Sequence, residues 1–151
     1  MRISDVIRAK GNAVVTVEPQ MDVRTLLGVL AEHGIGAVVV SSDGTTVEGI
    51  VSERDIVRAL ADRGATVISE PVSAIMTSDV KTCPPDAPVV DLMRTMTEGR
   101  FRHVPVVSGG KLADRPLFAL GVGVNLEKAR GLALDFADGI GRIGGTCGKT
   151  D

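Results

Sequence analysis

The chain contains one segment twice. Residues 13–42 align with residues 79–108 at a constant offset of 66 and without a gap, so that Thr16 falls on Thr82, Pro19 on Pro85, Val23 on Val89, Leu26 on Leu92, Glu32 on Glu98, Val38 on Val104 and Val40 on Val106. Upstream, Ile3-Ser4-Asp5-Val6-Ile7 resembles Val72-Ser73-Ala74-Ile75-Met76 once about three extra residues near Lys10 to Asn12 are allowed. A repeat of this length fixes the architecture before any single residue does: the chain is two copies of one supersecondary unit, and each copy needs a neighbour to cover its apolar face.

At 151 residues the chain can bury roughly 70% of the surface its unfolded form exposes, which suits one compact two-repeat module. The repeats are placed at residues 1–68 and 69–137, with a glycine-rich tail at 138–151 expected to be disordered. Formal net charge is −2, the charges are interspersed, and three Phe with no Trp or Tyr leave little to stack on bases. Nucleic acid is therefore not an expected partner. Cys83 and Cys147 make no disulfide framework, and with His33 and His103 they show no metal-ligand spacing. No apolar run approaches the length of a membrane span, and MRISDVIRAKG lacks a signal-peptide core. The expectation is a soluble, reduced, cytoplasmic protein.

Within the first repeat, Val14 to Val17 is a short β-branched run closed by Glu18-Pro19. Asp22 then caps a helix with Val23, Leu26, Leu27 and Leu30 on one face, and Gly34 stops it. Ala37 to Val40 has a buried-strand pattern, Ser42-Asp43-Gly44 a turn, and Val47 to Val51 a second strand; Ser52 starts a helix ending near Gly64. In the second repeat Val80 to Cys83 is the first strand, Val89, Leu92, Met93 and Met96 line the helix as core residues, Gly99 ends it, and Val104 to Val107 is the next strand. His33 at its helix end is expected to stabilise the last turn. The order strand, helix, strand, strand, helix makes the fold a mixed α/β (α+β) one.

These features together resemble a pair of CBS (cystathionine β-synthase) domains: the tandem β-α-β-β-α unit, the segments ISDVI and VSAIM, the RHVPVV strand, and above all GIVSERDIV at Gly49 to Val57. The likeness covers about residues 1–110. It implies two repeats packed about a pseudo-twofold axis, with clefts for adenine-containing ligands such as AMP, ADP, ATP or S-adenosylmethionine. It also implies disc-like homodimers, a regulated partner protein and no enzymatic turnover or cofactor.

A nucleotide site needs a carboxylate for the ribose hydroxyls, donors for phosphate, and a narrow slot for the base. The resemblance assigns the ribose to Asp55 and the phosphate side to Ser52 at a helix N-terminus, whose free N–H groups favour an anion. Thr16 and Arg54 join them as candidates. Gly36 and the small Ala37 leave room for a base beside Ile35 and Val38, and Arg102 and His103 stand where the family places basic groups that reach phosphate. A ligand-free reading competes. Ser52-x-x-Asp55 before an apolar run is also a capping box in its acidic form, Glu53 and Arg54 are then solvated helix-start charges, and Arg102 and His103 an exposed edge pair. Under that reading the chain is an interaction or structural module. No nucleophile, base and orienting group occur together, as an enzyme would need.

The second copy departs from the first after Leu112. Where the repeat requires another GIVSERDIV, the sequence runs ADRPLFALGVGVNLEKARGLALDFADGIGRIGGTCGKTD. Leu117 to Val124 would be a strand and Asn125 would cap a helix carrying Leu126, Ala129, Leu132, Ala133 and Phe136, which puts Lys128 in the place of the ribose acid. Two explanations compete: a diverged terminus that still completes the sheet, or a shifted reading frame. Gly139-Ile-Gly141-Arg-Ile-Gly144 spells a dinucleotide fingerprint without the βαβ unit it requires, and Gly144 to Thr150 falls one residue short of a phosphate loop.

Overall fold

The computed structural model describes residues 1–10 and 15–112 and the backbone of Phe118–Ala119. Its elements are α1 (Ile3–Lys10), β1 (Thr16–Val17), α2 (Val23–His33), β2 (Ala37–Val40), β3 (Gly49–Ser52), α3 (Glu53–Arg63), two 3-10 turns (Gly64–Ser69 and Val72–Ala74), α4 (Val89–Gly99), β4 (Val104–Pro105), β5 (Val107–Ser108), β6 (Lys111–Leu112) and β7 (Phe118–Ala119). The mixed α/β fold expected from the repeat is present.

Helix α2 begins where Asp22 accepts the Thr25 N–H (2.7 Å) and ends at Gly34, whose φ of 61° is the left-handed conformation that only glycine adopts freely. His33 Nδ1 lies 3.0 Å from the Val29 carbonyl oxygen in the last turn. Behind it, β1 pairs parallel with β2, and β2 antiparallel with β3. All four residues of β2 are buried because both its faces are covered. Val38 and Val40 join Val17, Leu26, Leu30, Val51 and Ile56 in the first core, while Ala37 and Val39 face Val107 and Leu112 of the second repeat.

The second repeat reproduces this frame in shortened form. Cys83 makes a single parallel bridge to Val106, the counterpart of Val17 with Val40 in the first repeat. The strand expected over Val80 to Cys83 thus shrinks to one residue, since Pro105, the counterpart of Val39, has no N–H to donate and extend the ladder. The strand expected over Val104 to Val107 is divided. β4 pairs with β7, while β5 turns into β6 through Gly109 and Gly110, whose φ values of 60° and 78° suit a two-residue hairpin. β7 lies within the strand expected over Leu117 to Val124; the helix beyond it, Lys128 and the tail lie outside the described residues.

Each repeat lends its leading segment to the other's core. Ile3 and Ile7 pack with Cys83, Val89, Leu92, Met96, Val104 and Val106, whereas Val72, with Ile75 and Met76 beside it, packs on the first core. Three backbone bonds seal each exchange. Ile3 N–H donates to Ala87, Ser4 to Pro85, and Val89 to Met1; in the equivalent set Val72 donates to Met21, Ser73 to Pro19, and Val23 to Glu70. The units that pack and the units that repeat in sequence therefore have different boundaries.

Two expected core residues are not core. Leu27 is 39% exposed and Met93 49% exposed. Each stands one residue, or 100° of helical turn, beyond Leu26 and Leu92, which carries it off the buried stripe.

Candidate functional site

A cleft of about 600 Å³ opens between the repeats. From the first repeat it is lined by Gly34 and Gly36 after α2, by Ile50 and Ser52 of β3, and by Glu53, Arg54, Asp55 and Arg58 of α3. The connecting segment contributes Thr77, Asp79, Val80 and Lys81. The second repeat contributes Gly99, Arg100, Phe101, Arg102 and His103 from the turn between α4 and β4.

Local chemistry explains why these residues converge. β3 runs directly into α3, so Ser52 ends a strand and caps a helix at once, and Glu53 N–H donates to Gly36 O (2.9 Å), tying the helix start to the turn before β2. Thr77 and Ile50 exchange both backbone bonds (3.0 and 2.8 Å), which lays the connecting segment along β3. Gly49 permits that approach: a Cβ there would stand 2.5 Å from Met76 Sδ and 3.0 Å from the Thr77 carbonyl oxygen. At the opposite wall Gly99 leaves room for the Phe101 ring, which a Cβ would overlap.

The capping box is fully formed. Ser52 N–H and Ser52 Oγ both donate to Asp55 Oδ2 (2.8 and 2.9 Å), and Asp55 N–H donates to Ser52 Oγ (3.4 Å). The cap engages Oδ2, so the carboxylate satisfies the helix start with one oxygen while its side chain borders the cleft.

The cleft is rich in cations. Arg54, Arg58, Lys81, Arg100 and Arg102 face three carboxylates, Glu53, Asp55 and Asp79. Lys81 lies 3.7 Å from Asp79; among the described residues none of the four arginines is in an ion pair. His103 registers this field. Burial, reinforced by Arg102 and Arg54 and opposed by Asp55, holds its imidazole below the usual histidine range, which favours the neutral ring.

Six of the ten residues singled out from the sequence therefore meet in one place: Gly36, Ser52, Arg54, Asp55, Arg102 and His103. Four do not line the cleft. Val38 is wholly buried in the first core, Ala37 is buried between the repeats, Ile35 packs against the first core, and Thr16 sits half-buried on β1. A strand alternates its faces, so the residues that follow Gly36 along β2 are turned into the two cores. Sequence reasoning passed over Arg58, Lys81, Arg100 and Phe101. A signal existed for two of them: Arg58 is one helical turn after Arg54, and the repeat offset sets Arg100 on the helix-ending Gly34.

Comparison with known proteins agrees with this architecture. The model of the CBS domain family matches residues 3–62 and 72–113. A CBS domain-containing protein from Arabidopsis thaliana, CBSX3, is 33% identical over 113 residues, covering 70% of this chain and 55% of its own. The chain spans 31–59% of the length of the first three curated relatives it matches. Among solved structures, a CBS-domain containing protein from Agrobacterium tumefaciens is 42% identical with a TM-score of 0.70, over 80% of this chain and 85% of that one. A CBS domain protein from Pyrobaculum aerophilum, complexed with AMP, is 27% identical with a TM-score of 0.69, over 91% of this chain and all of that one. Two matched domains, the exchanged leading segments and the cleft between the repeats thus lead to one conclusion: this chain belongs to the CBS-domain family and carries two CBS domains in tandem.

Proposed function

We propose that the chain is a regulatory module that binds an adenine-containing ligand, of the class AMP, ADP, ATP or S-adenosylmethionine, in the cleft between its repeats. One observation carries the reading. Neither repeat holds a full set of ligand groups, yet folding sets the Ser52–Asp55 cap of the first beside the Arg102–His103 pair of the second. The capped carboxylate has an oxygen to offer a ribose, the turn at Gly34 and Gly36 puts no side chain of its own into the space for a base, and the cationic wall suits phosphate. AMP in the related Pyrobaculum protein supports the same ligand class. Occupancy would act by linkage, favouring one arrangement of the two repeats over another and passing that preference to a partner protein. A homodimer fits the exposed apolar side chains Leu27, Val57, Val90 and Met93 on the helices. The chain acts by binding, not turnover, in the cytoplasm. Among the described residues no helix is long and apolar enough to cross a membrane.

The completed cap favours a second reading, because Ser52 and Asp55 satisfy each other without any ligand. Titration calorimetry with AMP, ADP, ATP, S-adenosylmethionine and NAD separates the two. Under the first reading one ligand class binds saturably and Asp55→Ala abolishes the heat while costing about 0.5–1.5 kcal/mol of stability. Silence across the panel from folded wild-type protein assigns the chain to the interaction modules instead.

A further inference from the structure

The two repeats end their first long helix with the same backbone and opposite chemistry. Gly34 closes α2 at φ 61°, ψ 39°; Arg100, its counterpart by the repeat offset, closes α4 at φ 55°, ψ 36°. Among the described residues Arg100 has the only positive φ outside glycine. The crowding of its Cβ against the carbonyl oxygen makes that conformation unfavourable for an arginine, and nothing in the cap needs the side chain, since the two closing bonds run from the Arg100 backbone N–H to the Met96 and Thr97 carbonyls. Both residues border the cleft. The first turn therefore adds no side chain of its own at Gly34 and Gly36 and has the Glu53 carboxylate 3.5 Å from where a Gly36 Cβ would stand, whereas the second carries Arg100 and Arg102 at the matching positions; Arg54 and Arg58 of α3 add to the cations of the cleft.

That polarity orients a ligand. Glu53 and Asp55 open α3, whose Glu53 N–H bonds to Gly36 O, so the neutral nucleoside belongs at this carboxylate-bearing helix start and an anionic group belongs against Arg100 and Arg102. S-adenosylmethionine carries a sulfonium and an ammonium against a single carboxylate, and that net positive charge would sit among arginines that no carboxylate pairs within the described residues. We propose that Arg100 is a phosphate-binding residue and that the cleft selects phosphorylated adenosine over S-adenosylmethionine. His103 beside Arg102 is held below the usual histidine range by burial first and by Arg102 and Arg54 second, against Asp55, which accords with excess positive charge in the cleft. The inference rests on the reading of the cleft as an adenine-ligand site and adds which chemical class it accepts.

The test uses calorimetry with adenosine, AMP, ATP and S-adenosylmethionine on the wild type, Arg100→Gly and Arg100→Asn, with a melting curve for each. Glycine and asparagine both tolerate the left-handed backbone, so the variants fold, and Arg100→Gly melts above the wild type. The expected result is AMP and ATP at least about tenfold tighter than S-adenosylmethionine, a loss of about tenfold or more for AMP and ATP in both variants, and unchanged adenosine binding. Higher stability with weaker phosphate binding is a combination that a merely structural arginine does not give. Equal affinity of the wild type for S-adenosylmethionine and AMP, or variants that keep AMP affinity within about twofold, would overturn the inference while leaving the adenine-site reading intact. No binding of any of the four by folded wild type would overturn both.

Discussion

His103 shows how a single residue can report on the cleft around it. Its proton affinity is lowered in the folded state, first by burial and then by Arg102 and Arg54, with Asp55 acting against them. The unfolded chain therefore binds the proton more readily, and stability rises with pH wherever it does so. The consequence is a loss of stability as pH falls below the ordinary histidine value of 6.5. His103→Gln is expected to flatten that part of the curve, as followed by urea denaturation from pH 7.5 downward. A second decline should survive the substitution. Asp22 and Asp43 have carboxyl groups held below 3.8 by hydrogen bonds from Thr25 and from Thr46 and Thr45, so their contribution is present above that pH and is lost as pH falls further. A histidine slope untouched by the substitution would show that another group senses that range.

Among the elements, α1 and the Val72–Ala74 turn are the least obvious from local sequence and the most consequential. α1 is helical, the turn that repeats it is a 3-10 segment, and yet both deliver an isoleucine or valine to the same position against the other copy. Ile3 is 2% exposed. Its truncation in Ile3→Ala removes most of a buried side chain from the second core and should cost about 2–5 kcal/mol, measured by chemical denaturation. A cost below about 1 kcal/mol would mean that α1 merely rests on the surface.

For the whole molecule, the exchange predicts how the chain can be divided. A fragment of residues 1–68 keeps Ile3 and Ile7 without their core and loses Val72, Ile75 and Met76 from the first. A fragment of residues 15–77 keeps the first core and its exchanged segment together. The second is expected to be the more stable in thermal melts followed by circular dichroism, despite being shorter. The reverse order would place the folding unit at the sequence repeat instead of the packed one. The face of Ala37 and Val39 against Val107 and Leu112 couples the halves further, and Leu112 N–H donates to Thr45 O (2.7 Å) across that junction.

The sequence by itself determined the repeat, its order of elements and the caps, because these depend on contacts a few residues apart. Asp22 and Gly34 bound α2 through their own backbone geometry, and Ser52-x-x-Asp55 closes its box within one helical turn. The alternation of β2 was legible as burial, but which face met which core was not. For that reason Ala37 and Val38, adjacent to Gly36 in the chain, are turned away from the cleft that Gly36 borders. Leu27 and Met93 looked as apolar as their buried neighbours, and only the placement of the sheet decided on which side of the stripe they fell. The tertiary structure alone brought Arg100 and Lys81 to Asp55, since no local pattern carries the position of a side chain some 26 to 45 residues away along the chain. Short-range hydrogen bonds wrote the elements; the packing of two copies against each other, with their leading segments exchanged, created the site.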